Sequence, residues 1–186
     1  MVEKKRRIIA VLGLPGSGKS VVINYIMRVY GWPRVYFGDV TFDEVKRRGL
    51  EVNEANERLV REGLRAEFGM LVYAERVIEK IHALKGDKPV LVESLYSWQE
   101  YLRFKEVFGD MFKTVAVHAA PGLRYDRLSN RRERPLTMEE ARSRDYSQIE
   151  NLHQGGPIAM ADYVVLNDGA PGKLVSQSDV IVWKLK

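Results

Sequence analysis

Eight residues near the start of the chain, GLPGSGKS at 13–20, combine three glycines with a lysine and a serine at fixed spacing. This pattern is typical of a loop that binds polyphosphate, because the glycines let backbone N–H groups converge on phosphate oxygens. Lys19 is then placed to contact the β- and γ-phosphates, and the Ser20 hydroxyl to ligate Mg²⁺. The residues expected to bind ATP are Gly13, Leu14, Pro15, Gly16, Ser17, Gly18, Lys19, Ser20 and Val21.

The segments on either side of this loop have the character that phosphate binding requires. An apolar run at 8–12 predicts a buried strand before it, and an amphipathic segment at 19–30 predicts a helix after it. The positive end of that helix would face the phosphates. A glycine-rich turn with an incidental lysine is the alternative, and it does not account for these flanking elements.

Further along, short apolar runs alternate with amphipathic helical segments. Strands are predicted at 35–37, 89–93, 114–119 and 162–167, and capping boxes at Ser97/Glu100 and Thr137/Glu140 mark two helix starts. This alternation predicts a three-layer α/β/α fold with a five-stranded parallel sheet, and a phosphate site at the carboxyl ends of the strands. The tail at 170–186 fits a strand by its β-branched residues and a helix by its apolar stripe.

Two carboxylates follow predicted strands and are therefore candidates for chemistry. Glu93 ends a buried strand, as does a Walker-B acid, and could hold Mg²⁺; the alternative is an ordinary helix or loop carboxylate. Asp39 could bind Mg²⁺ through water, accept a proton from an acceptor hydroxyl, or only cap the helix that follows.

An arginine-rich segment follows the predicted strand at 114–119. Arg124, Arg127 and Arg131 are spaced as on one helical face. Arginines in a mobile lid can neutralise the charge of a phosphoryl group in flight and exclude water. The alternative is a solvated helix paired with nearby acids, namely Glu133, Glu139 and Glu140.

Composition limits the class of protein. With 45% hydrophobic and 30% charged residues, the 186-residue chain has the make-up of one soluble globular domain spanning 1–186. No apolar run could span a membrane, no signal peptide is visible, and we expect a cytoplasmic location. The absence of cysteine excludes disulfides and thiolate chemistry. The net charge is +5, but the basic residues do not form a tract with interleaved aromatic residues, so nucleic acid is not expected as a partner.

Several motifs together resemble the P-loop NTPase kinases around dephospho-CoA kinase and adenylate kinase. They are GLPGSGKS, GDV followed by EVKRRGLEVNEAN, LRAEFG, the RxxRL segment and ADYVVLNDG. The chain is most similar to an archaeal family described as dephospho-CoA-kinase-like and adenylate-kinase-related. Two features differ from that pattern: Glu93 and Ser94 stand where relatives usually have aspartate and glycine, and the predicted lid lacks glycine.

The resemblance implies roles for further residues. Helices at about 39–84 would bind the acceptor, with Asp39, Arg65 and Glu93 contributing, and a lid would span about 127–145. Arg127 and Arg131 would act in that lid together with the catalytic Lys19 and Asp39, while Asn167 would lie near the adenine. Ser20 and Glu93 would hold the metal.

The function expected from the sequence is Mg²⁺-dependent transfer of the γ-phosphoryl group of ATP to a small nucleotide-like acceptor. That acceptor would be a nucleoside monophosphate or of the dephospho-CoA type. Two alternatives stay open at this point: a nucleotide-binding regulator or weak ATPase acting through a partner, and a kinase of nucleic-acid ends.

Overall fold

A five-stranded parallel sheet forms the centre of the molecule in the computed structural model, which describes residues 6–132 and 135–186. Its strands are β1 (Ile8–Leu12), β2 (Arg34–Tyr36), β3 (Val90–Glu93), β4 (Phe112–His118) and β5 (Tyr163–Leu166). The strand order β2-β3-β1-β4-β5 puts β1 between β3 and β4: the chain leaves β1 toward one edge of the sheet and leaves β3 toward the other. A ligand crevice is expected at such a switch point.

Helices cover both faces of the sheet. They are α1 (Lys19–Tyr30), α2 (Gly38–Arg47), α3 (Glu54–Phe68), α4 (Val72–Ala83), α5 (Trp98–Phe108), α6 (Pro121–Ser129), α7 (Met138–Glu150), α8 (Gly155–Ala159) and α9 (Pro171–Leu185). Ile8, Ala10 and Leu12 face a core formed with α2–α5, whereas Ile9 and Val11 face a second core formed with α1 and α9. This alternation explains why every residue of β1 is buried. The predicted three-layer parallel fold is confirmed.

Both predicted capping boxes are present. The Ser97 hydroxyl accepts from the N–H of Glu100, whose carboxylate accepts from the N–H of Ser97, and Thr137 and Glu140 do the same at the start of α7. The strand predicted at 35–37 is shifted by one residue to Arg34–Tyr36, and the strand predicted at 162–167 is shorter by one residue at each end. Residues 1–5, which precede β1, lie outside the described residues. Glu133, a candidate ion-pair partner of the arginine-rich segment, also lies outside them.

The ambiguous tail is a helix. Leu174, Ser178, Ile181 and Leu185 form its buried face, so burial of the apolar stripe outweighs the local strand preference of three β-branched residues. Gln177 on this helix accepts from the N–H of Leu166 at 3.0 Å and donates to its carbonyl at 2.9 Å. Its amide thereby occupies backbone groups of the edge strand β5.

No helix within the described part of the chain is both long enough and apolar enough to cross a lipid bilayer.

Candidate active site

The loop between β1 and α1 has the geometry of a phosphate-binding loop. Gly13 and Gly16 adopt positive φ angles of 143° and 77°. A Cβ at Gly13 would collide with the carbonyl oxygen of Val117, and one at Gly16 would lie 2.6 Å from the carbonyl oxygen of Arg124. Both positions therefore require glycine for conformation and for space.

Lys19 lies folded back on this loop. Its Nζ donates to the carbonyl oxygens of Gly13 at 2.7 Å and Leu14 at 3.2 Å. Burial lowers the pKa of Lys19 to about 8, against the opposing effect of Glu93 and with the help of the positive charges of Arg131, Arg124 and Arg144. A bound polyphosphate would place negative charge beside Lys19 and favour its protonated form.

Glu93 lies beside Ser20 at the carboxyl end of β3. The Ser20 hydroxyl donates to Oε1 of Glu93 at 3.2 Å, and Nη1 of Arg34 donates to Oε2 at 2.8 Å. The predicted pair Ser20 and Glu93 is thus brought together next to Lys19, which feels the charge of Glu93. Sequence reasoning missed Arg34, because nothing in its local sequence marks it; only the β2–β3 pairing brings it to Glu93.

Arg124 does not project toward a substrate. It is buried and bonded through Nη1 and Nη2 to the two carboxylate oxygens of Asp145 at 2.9 and 2.6 Å. Its Nη1 also donates to the carbonyl oxygen of Pro15 at 3.0 Å. Arg124 therefore ties α6 to α7 and to the phosphate loop, and the expectation that it shares a lid face with Arg127 and Arg131 is wrong.

Arg127 and Asn167 meet at the back of the loop. Nη2 of Arg127 donates to the backbone oxygen of Asn167 at 2.7 Å, and the Asn167 side chain donates to the backbone oxygen of Ser17 at 2.8 Å. Nη1 of Arg127 also donates to the backbone oxygen of Gly16 at 3.4 Å, so both residues contact the loop that is expected to hold ATP. Arg131 is exposed and lies beyond α6, which ends at Ser129. Its positive charge nevertheless helps to lower the pKa of Lys19.

A cavity of about 510 Å³ opens beside the loop, between the ends of β2 and β3 and helices α2, α3, α4 and α7. Its aromatic lining is Tyr36, Phe37, Phe42, Tyr73 and Tyr96, and its basic lining is Arg61, Arg65 and Arg144. The Nε atom of Arg65 is buried without a hydrogen-bond partner, and its guanidinium lies 5.2 Å from the centre of the Tyr73 ring. The cavity therefore offers a cation and flat apolar surfaces to a ligand.

Helix α7 contributes a wall that the sequence analysis did not foresee. Arg144, Ser147 and Gln148 line the cavity, and Oε1 of Gln148 is buried without a partner. The sequence predicts a lid over about 127–145, which includes the first half of this helix. The i, i+4 spacing of Arg144 and Gln148 is the signal that could have indicated that these two side chains share one face of it.

Asp39 lies in the first turn of α2 and is partly buried. The N-cap of this helix is Phe37, two residues before Asp39, and no side-chain hydrogen bond caps this end. The interpretation of Asp39 as only a cap is therefore wrong. Its charge is one of those that raise the pKa of Tyr36 on the cavity wall, after burial, Tyr96 and Glu93.

Comparison with known proteins supports the class that this geometry defines. Residues 9–149 match the family model of an AAA domain. The structure resembles TT1252 from Thermus thermophilus, with a TM-score of 0.69, 19% identity, and coverage of 98% of this chain and 100% of that one. It also resembles a shikimate kinase from Bacteroides thetaiotaomicron, with a TM-score of 0.62, 14% identity, and coverage of 96% and 98%. The fold is that of a kinase-like P-loop NTPase.

Sequence relatives narrow the assignment to one family. The UPF0200 protein TK1334 of Thermococcus kodakarensis is 36% identical over 167 residues, which cover 88% of this chain and 89% of the relative. A UPF0200 protein of Hyperthermus butylicus is 41% identical over 168 residues, covering 88% and 86%. The chain belongs to the UPF0200 family.

Proposed function

We propose that this protein is an ATP-dependent kinase that transfers the γ-phosphoryl group to a small nucleotide-like acceptor, a nucleoside monophosphate or a molecule of the dephospho-CoA type. The observation that carries the proposal is the adjacency of two sites. Glu93 borders the phosphate loop through Ser20, and the next residue, Ser94, lines the cavity that contains Arg65. An acceptor in this cavity would thus face the end of a bound triphosphate.

The chemistry proposed is in-line transfer. A bond forms between the acceptor oxygen and the γ-phosphorus while the bond from that phosphorus to the oxygen bridging to ADP breaks. Lys19 would neutralise the phosphates, and Arg127 and Arg131 would stabilise charge on the moving group. If the acceptor is a hydroxyl, its proton passes to Asp39; if it is a phosphate, no base is needed and Arg65 binds it.

The residues present suit Mg²⁺, which prefers oxygen ligands and keeps much of its shell from water and substrate phosphates. Ser20 and Glu93 supply two such oxygens 3.2 Å apart, next to Lys19. Among the residues that the structure describes, no group of three or more His, Asp or Glu side chains could hold a metal alone. When bound, the ion would neutralise charge on the β- and γ-phosphates.

A second function, a nucleotide-binding regulator or weak ATPase that acts through a partner, is favoured by one observation. Arg34 already neutralises Glu93, and a glutamate stands there in place of the usual aspartate. This function predicts tight ATP binding with slow hydrolysis that no small acceptor accelerates. Under either function we expect the protein to act in the cytoplasm, where ATP and nucleotides are found.

The test is ADP production from Mg-ATP with and without AMP, CMP, UMP, dTMP and dephospho-CoA. Lys19→Ala serves as the blank, and Lys85→Ala is the matched control, at an exposed lysine that precedes β3 whereas the loop follows the parallel strand β1. A rate raised many-fold by one acceptor in wild type and Lys85→Ala, but not in Lys19→Ala, supports the kinase and identifies its substrate. Tight ATP binding with no stimulation by any acceptor supports the regulator instead.

A substitution of Arg65 tests the proposed acceptor site independently of the ATP site. Removing its guanidinium by Arg65→Ala should raise the KM for the acceptor about tenfold or more, since a charge-assisted hydrogen bond is lost. The KM for ATP should stay unchanged. An equal rise in both constants would contradict the assignment of this cavity to the acceptor.

A further inference from the structure

The backbone of Ser94 is strained where the phosphate loop meets the cavity. Its φ is 69°, in the left-handed region, and among the described residues other than glycine only His153 shares a positive φ. Such a conformation costs free energy for a residue with a Cβ, and it persists where the surrounding structure fixes it. Strain of this kind concentrates at functional sites.

Ser94 belongs to a cluster of three hydroxyl groups on one wall of the cavity, with Tyr36 and Tyr96. The Tyr96 hydroxyl donates to Oγ of Ser94 at 2.9 Å. Because Oγ accepts this bond, the Ser94 hydroxyl donates to a different oxygen, either that of Tyr36, which it already contacts, or a ligand oxygen in the cavity.

Tyr36 is held in one position from two sides. Its ring lies directly against Gly38, where a Cβ would collide with the ring, and the guanidinium of Arg34 lies 5.6 Å from the ring centre. A tyrosine hydroxyl keeps its proton at neutral pH, so Tyr36 can donate a hydrogen bond from this fixed position.

We propose that the hydroxyls of Tyr36 and Ser94 bind the nucleophilic oxygen of the acceptor, and that the strained backbone of Ser94 is retained because it places its hydroxyl there. This inference rests on the proposed kinase function. The shared chemistry is an oxygen that accepts two hydrogen bonds, whether it belongs to a hydroxyl or to a phosphate. Tyr96 acts as a positioning residue, since it orients the Ser94 hydroxyl.

Steady-state kinetics test the binding role in Tyr36→Phe and Ser94→Gly. With AMP, UMP or dephospho-CoA as the acceptor, each variant should raise the acceptor KM about tenfold, the effect of one lost hydrogen bond, with a smaller change in kcat. The KM for ATP should not change. Tyr25→Phe is the matched control, because the Tyr25 hydroxyl donates to Asp179, away from the cavity, and its kinetic constants should match wild type.

Thermal unfolding of the unligated protein tests the strain independently of any acceptor. Ser94→Gly should unfold at the wild-type temperature or about 2–4 °C above it, because glycine adopts a positive φ without strain. Ser94→Ala keeps the Cβ and loses the hydroxyl, so it should show no gain in Tm and the same rise in acceptor KM.

The outcomes separate the inference from the function on which it rests. An unchanged acceptor KM in Tyr36→Phe and Ser94→Gly overturns the inference and leaves the kinase intact. Failure of the wild-type protein to phosphorylate any of AMP, CMP, UMP, dTMP and dephospho-CoA overturns the kinase. A Ser94→Gly protein that unfolds several degrees below wild type overturns the role of the strain, with or without an acceptor.

Discussion

Arg34 and Glu93 form an ion pair across the two neighbouring strands β2 and β3, with 2.8 Å between Nη1 and Oε2. The carboxylate is nearly buried, whereas the guanidinium side chain is about one-third exposed. The other carboxylate oxygen accepts from Ser20. Arg34 thus holds one carboxylate oxygen of Glu93, while the other contacts Ser20, the last residue of the phosphate loop.

Substitution of Arg34 by alanine should weaken this arrangement without unfolding the protein. A partly exposed pair of this kind contributes about 1 kcal/mol to the free energy of unfolding. Freed from Arg34, Glu93 should become more mobile, so the Mg²⁺ concentration needed for half-maximal ATP binding should change. Titration of ATP binding with Mg²⁺, with Arg28→Ala on the exposed side of α1 as control, checks this; identical curves for Arg34→Ala and wild type would contradict it.

The pair of Arg124 and Asp145 should be far more costly to break. Both side chains are only 4% exposed, so Asp145→Asn or Arg124→Ala leaves a buried charge without its partner. We expect a loss of about 3–5 kcal/mol in the free energy of unfolding. Urea denaturation measures it. Replacement of both residues by Arg124→Met and Asp145→Leu should cost less than either single change, and equal additive losses would argue against a coupled pair.

Two glycines offer a matched comparison in the phosphate loop and outside it. Gly16→Ala places a Cβ 2.6 Å from the carbonyl oxygen of Arg124 at a positive φ, and should abolish ATP binding. Gly122→Ala, in the first turn of α6, places its Cβ in open space and should stabilise that helix by about 0.5–1 kcal/mol. ATP binding by titration calorimetry and thermal unfolding distinguish them; equal behaviour of the two variants would be incompatible with this geometry.

The low pKa of Lys19 predicts how stability depends on pH. In the folded protein the pKa is about 8, against 10.5 for an ordinary lysine, so between these values the unfolded chain binds more protons than the folded one. The free energy of unfolding contributed by this group therefore increases as pH rises from about 8 to 10.5. Below pH 8 both states are protonated and the burial of the charge is a constant cost.

Denaturation of wild type and Lys19→Met across this range isolates the effect. The stability of wild type should gain on that of the variant as pH rises, and parallel curves would show that Lys19 titrates normally. ATP should oppose the shift, because phosphates favour the charged form of Lys19 and so draw a proton onto it near pH 8–9.

The parts of the site that were predictable are those encoded by adjacent residues. The 13–20 motif contains its own glycines, lysine and serine, and both capping boxes span four residues, so local chemistry was sufficient. Alternating apolar runs likewise predicted the sheet. The helix α9 was ambiguous because Val180–Val182 favours a strand locally, while its burial depends on a sheet formed elsewhere in the chain.

The parts that were not predictable depend on contacts between distant positions. Arg34 and Glu93 are 59 residues apart, and only the order of strands makes them neighbours. The spacing of Arg124 and Arg127 predicts one arginine face of a lid, but the partner of Arg124, Asp145, lies on another helix. Serine itself does not indicate a positive φ, so the strain at Ser94 is hinted at only by the glycine that the resembling kinases usually have at this position.

The amide of Gln177 has a consequence for how this molecule meets other copies of itself. Strand β5 is the last in its sheet, and its side chains Val164 and Leu166 are more than half exposed, the features by which an open edge recruits another chain. At Leu166, however, the N–H and C=O are already bonded to one side chain of the same molecule. At this one residue the glutamine makes the hydrogen bonds that a sixth strand would make, so these backbone groups are not open to a strand of another molecule.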